Sequence, residues 1–115
     1  MSEKFLNLTN FWYEFVSCDH HKDRDCHFYV NQVWSYGEKP YYRIEHYGYM
    51  AELPKELEDK RFTDYASAFK TLEEWLYLEY LEIKIFYENY TPDESIDYNW
   101  KGVKEVLEKY KDIIK

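Results

Sequence analysis

Cys18-Asp19-His20-His21 and Asp25-Cys26-His27 are the densest group of ligating and nucleophilic side chains in the chain. Cys and His are the usual protein ligands of zinc, and a hairpin loop could bring four of them together. The spacing is not that of a zinc knuckle: one residue between Cys18 and His20 leaves little room for both on one tetrahedral ion. If residues 19–25 form a loop between two strands, Cys18 and Cys26 face each other at the strand ends, a geometry that allows a disulfide. Three states are therefore open. Zinc could be held by ligands drawn from Cys18, His20, His21, Cys26 and His27. The cysteines could be oxidised, or they could be inert thiols beside solvated histidines. The last is the plain expectation, with no resident cofactor.

Other catalytic chemistry finds less support. A Cys–His pair is formally a nucleophile and base, but such partners usually converge from distant segments. Glu79 falls by helical angle among Leu72, Trp75, Leu76 and Phe86, and Glu14 lies between Trp12 and Val16. A carboxylate in such surroundings needs a partner, and the ordinary one is a Tyr hydroxyl or an Arg. No phosphate-binding loop, dinucleotide fingerprint, G-x-S-x-G or H-E-x-x-H motif occurs. The chain reads as a non-enzyme.

Its 115 residues suffice for one domain with its own core. Tyr, Phe and Trp make up 22% of them, far above the needs of a core this size, and the net charge is −8. Residues 64–90 carry six acids against two lysines, so half of that charge lies on one segment. Acidity of this size disfavours general binding to nucleic acid or anionic membrane and suits a basic protein partner. No apolar run has the length of a membrane span, and the first residues lack the pattern of a signal peptide. A cytoplasmic protein is expected.

Periodicity then supplies the elements. Residues 11–18, 26–36 and 41–50 are rich in strand formers and are joined by polar turns, which predicts a three-stranded antiparallel meander. Leu53-Pro54-Lys55-Glu56-Leu57-Glu58 predicts one helical turn. Residues 64–90 repeat apolar side chains at steps of three and four, at Tyr65, Phe69, Leu72, Leu76, Tyr80, Ile83 and Tyr87, predicting a long amphipathic helix. Thr91-Pro92-Asp93-Glu94 is a helix start signal, and a second helix over 92–113 follows. The expected fold is α+β, with the two helices packed as an αα-hairpin.

If Tyr36 and Tyr41 flank the turn, Trp34 pairs with Arg43, Gln32 with Glu45, Val30 with Tyr47 and Phe28 with Tyr49. Val33, Ile44 and Met50 then face the helices. Phe28, Trp34, Tyr36, Tyr41, Arg43, Tyr47 and Tyr49 lie on the far side as an aromatic–Arg surface, a composition enriched at binding hot spots. Opposite the core arc of the long helix lies a second apolar strip, Leu78, Leu81 and Ile85, expected to seat the last helix or a second copy. Acidic residues Glu74, Glu82, Glu88, Asp93, Glu94 and Asp97 surround or follow it.

These features point first to a protein-interaction module that binds a basic partner through acidic and aromatic side chains. Small acidic, Tyr-rich domains of this kind resemble, in general character, accessory proteins of viruses and mobile elements. Some of those occupy the basic groove of a nucleic-acid enzyme as DNA mimics. The alternative is a nucleic-acid-binding module stacking bases on the aromatic sheet, with Arg43, Arg24 and Lys22 on phosphates. A metal-dependent protein built on the Cys18–His27 loop is the third reading.

Overall fold

A computed structural model describes residues 2–19, 27–47, 53–91 and 100–114. The described elements run in the order α1 (Glu3–Asp19), β1 (His27–Val33), β2 (Tyr41–Tyr47), α2 (Lys55–Glu58), α3 (Tyr65–Glu88) and α4 (Trp100–Tyr110). The chain is an α+β domain whose described sheet has two antiparallel strands.

The expected strand over 11–18 is instead the second half of α1. Its β-branched and aromatic residues sit at helical spacing once the window is widened: Phe5, Leu8, Phe11 and Val16 are all buried. Ser2 starts the helix, its hydroxyl accepting from the Phe5 amide at 3.0 Å while also donating to the Glu73 carboxylate of α3. The side chains of α1 find their partners on α3. Phe5 meets Phe69 at 4.6 Å between ring centroids, and Phe11 meets Tyr80 edge-on at 4.8 Å. The apolar stripe of α1 is thus satisfied by a helix, and the pull of β propensity is overridden by tertiary packing.

α3 forms where the periodicity predicts it. Asp64 caps it, accepting from the Ser67 amide at 2.8 Å and from the Ser67 hydroxyl at 2.9 Å, and these bonds hold its carboxyl below the usual range. Ala68, Leu72, Leu76 and Tyr80 form its buried stripe. The single turn after Pro54 is α2, packed beside β2.

The hairpin register differs from the expected one. His27 pairs with Tyr47, Val30 with Ile44 and Val33 with Tyr41. The ladder stops at Val33, and residues 34–40 form the connection. Within it the Glu38 amide donates to the Ser35 carbonyl at 3.1 Å, around Gly37 at φ 83°. That positive φ belongs at the third position of a type II turn, where glycine is unstrained. Relative to the expected pairing, each β1 residue meets a partner three positions earlier on β2. An odd shift exchanges faces. Phe28 and Val30 therefore share the inner face with Tyr42 and Ile44. Ile44 is fully buried and Phe28 is only 4% exposed, with the Phe28 ring edge-on to Trp75 at 5.0 Å. Val33 lies on the outer face.

On its other side, β2 pairs with Phe62: the Tyr42 and Phe62 amides each donate to the other's carbonyl at 2.8 Å. β2 is thus flanked by β1 and by an isolated bridge that follows it in sequence.

Candidate interaction surfaces

Ligand geometry at the Cys/His segment falls mostly outside the described residues. His20, His21 and Cys26 lie there, and Cys18 and His27 are described only in backbone. Cys18 belongs to the last turn of α1, not to a strand, so the hairpin premise that set Cys18 across from Cys26 is removed. Among the described residues no three His, Cys, Asp or Glu side chains converge as a metal site.

The outer face of the hairpin carries most of the expected aromatic surface. Phe28 leaves that set because it is core. Tyr49 lies outside the described residues. Trp34 is 70% exposed, Tyr36 stands fully exposed at the turn, and Tyr47 is exposed. Tyr41 and Arg43 are half-buried by their neighbours. The Arg61 guanidinium lies over the Tyr41 ring at 4.5 Å, and Arg43 Nη2 donates to the Glu58 carbonyl at 3.2 Å. Asn31 donates to Glu45 at 3.3 Å. Glu45 also accepts from the Tyr29 hydroxyl, and that bond, more than burial, raises the Tyr29 phenol above its ordinary range. Arg43 and Tyr41 are therefore engaged within the chain, and Trp34, Tyr36 and Tyr47 are the more exposed of the set.

α3 presents the second surface. Positions 74, 78, 81, 85 and 88 recur at steps of four and three on the side opposite the buried stripe. Leu78 is 60% and Ile85 58% exposed, and Leu81 is half-buried. Glu74, Glu82 and Glu88 are exposed around them. Asp93, Glu94 and Asp97, expected to extend the acidic surface, lie outside the described residues.

α4 does not cover this strip as the αα-hairpin expectation required. It packs on α1, where Tyr110 meets the Phe11 ring edge-on at 5.7 Å. Glu14 of α1 accepts from the Tyr110 hydroxyl and from Lys109 Nζ at 2.7 Å. Burial, and then the Glu14 bond, hold the Tyr110 phenol well above its usual range. α4 meets α3 toward the C-terminal end of α3, where Trp100 stacks on Tyr87 at 5.3 Å and Lys84 and Glu88 share a groove with Lys104 and Leu107. Val103 and Tyr110 of α4 and the following Ile114 are buried.

No protein-family model matches this chain, and no curated protein or solved structure matches it.

The two carboxylates that the sequence singled out are both placed, and one further feature lies outside the sequence pattern. Glu14 does find the Tyr hydroxyl expected of a shielded carboxylate, but across two helices. Glu79 sits half-buried on α3, and burial, reinforced by the nearby Glu82 charge, raises its carboxyl. An apolar groove of about 330 Å³ opens between α1, β1 and α3, lined by Phe5, Leu6, Phe28, Tyr29, Tyr65 and Phe69. Only the pairing of α1 with α3, hidden by the strand reading of 11–18, could have revealed it.

Proposed function

We propose that this protein is an interaction module that binds a basic protein partner, with the outward face of α3 as its principal docking surface. The observation that carries the reading is Leu78 and Ile85 standing exposed between Glu74, Glu82 and Glu88. A helix that has already buried one stripe gains nothing for its own fold from a second. Apolar side chains supply the contact area, and the surrounding carboxylates speed encounter with a cationic surface and reject an anionic one. No helix among the described residues is long and apolar enough to cross a membrane, so the strip is not part of a helical span.

The test is affinity capture with the wild-type chain and with a Glu74→Lys/Glu82→Lys/Glu88→Lys variant, each at about 50 mM and about 500 mM salt. The wild type retains a partner at low salt that is lost at high salt and lost in the variant. Equal recovery in all four arms contradicts the reading.

Exposed Trp34 and Tyr36 favour a second reading, in which the hairpin tip stacks nucleobases beside Arg61 and Lys39. Fluorescence anisotropy with short single strands at low salt distinguishes it. Binding that disappears in Trp34→Ala/Tyr36→Ala supports it, and no binding at about 50 µM protein ends it.

A further inference from the structure

We infer that the outward face of α3 is shaped for a cationic amphipathic helix and against a second copy of this chain. The inference rests on the interaction reading above and names the chemistry of the occupant. Leu81 marks the centre of the strip by position but is itself half-buried and packed against the core, so Leu78 and Ile85 carry the exposed apolar area. Glu74 precedes Leu81 by seven residues and Glu88 follows it by seven. Seven residues return a helix to within about 20° of the same direction, so both carboxylates stand close to the line of the strip, about 21 Å apart along the axis. Leu78, Leu81 and Ile85 fill the space between them, and Glu82 lies to one side.

A helix laid on this line meets apolar side chains over its middle two turns and a carboxylate at each end. Its complement carries Leu, Ile or Met at spacings of three and four, with Lys or Arg two turns before and two turns after the centre. A second α3 does not supply that pattern. Paired antiparallel so that the two strips meet, Glu74 of one copy comes beside Glu88 of the other, twice by symmetry. Paired parallel, each glutamate meets its own equivalent. A shift of one turn brings Lys70 toward Glu88 but seats the Glu74 carboxylate over Ile85, at a desolvation cost. Lys84, the other lysine of α3, is half-buried in the groove against Trp100, Lys104 and Leu107 of α4, a groove that the exposed Glu88 also lines.

The probes are two synthetic helical peptides of about 20 residues. They share one apolar stripe and differ in carrying Lys or Glu two turns either side of its centre. Anisotropy of each labelled peptide is followed against the wild-type chain and against Glu74→Lys/Glu88→Lys, both substitutions lying on exposed positions. The Lys peptide binds the wild type at least tenfold more tightly than the Glu peptide, and the charge-reversed chain inverts that preference. Sedimentation shows the wild type as a monomer.

Equal binding of the two peptides, no binding of either at about 50 µM, or a wild-type dimer that Ile85→Ser dissolves overturns the inference. The interaction reading fails by a different result, namely salt- and charge-independent capture. If capture depends on Glu74, Glu82 and Glu88 while neither peptide binds, the reading stands and only the helical partner is wrong.

Discussion

The two sides of α3 differ less in composition than in what meets them. On the inner side, Ala68, Leu72, Leu76 and Tyr80 are closed over by α1 and the hairpin. On the outer side, Leu78 and Ile85 are aliphatic residues of the same kind, and among the described elements none covers them. Burial, not hydrophobicity, separates a structural stripe from a candidate binding stripe. A helix reports which is which only when the elements that could cover it have been placed.

The largest expected effect sharpens that contrast from the inside. Leu72→Ala opens a cavity in a fully buried position and lowers unfolding free energy by about 2–5 kcal/mol, measured by urea denaturation. A loss under about 1 kcal/mol would mean that the inner side is not close-packed. Next is the seam where α4 joins α1. Tyr110→Phe removes the hydroxyl that Glu14 accepts from and costs about 1 kcal/mol, with Lys109 still beside the carboxylate.

Tyr80→Phe has the opposite sign. The Tyr80 hydroxyl is buried and finds no hydrogen-bond partner among the described residues, so removing it leaves stability unchanged or raises it by up to about 1 kcal/mol. A loss greater than that would reveal a partner for the hydroxyl.

Glu79 tests the boundary between the two sides through pH. Its raised carboxyl pKa means that the folded chain holds this proton more tightly than the unfolded chain does. The stabilising share is therefore present below the ordinary carboxylate pKa and is lost as pH rises through the raised one. Glu79→Gln accordingly increases Tm near pH 7 and leaves it unchanged near pH 4. An equal increase at both pH values would assign the effect to packing.

How much of this was legible in sequence depends on the length of each signal. α3 is 24 residues long, and its period is repeated often enough to fix both the helix and its buried arc. The exposed positions of Leu78 and Ile85 follow from the same angles. Phe11-Trp12-Tyr13-Glu14-Phe15-Val16-Ser17-Cys18 is too short for period to outweigh β propensity. Only with Ser2 as cap and Phe5 and Leu8 included does the helical spacing emerge. The hairpin face was lost to the turn: taking Gly37–Pro40 as the whole connection, instead of residues 34–40, shifts the pairing by an odd number and sends Phe28 to the wrong side. Which helix α4 joins was not legible, because its own stripe fits either neighbour and the choice depends on α1 being a helix.

The most direct test joins stability and binding in one double variant. Leu78→Ser/Ile85→Ser removes the apolar part of the outer side of α3 and leaves every inner contact in place. Its unfolding free energy should stay within about 0.5 kcal/mol of wild type, while low-salt capture of the basic partner is lost. A marked loss of stability would show that the strip is covered within the chain, and undiminished capture would place the binding surface elsewhere.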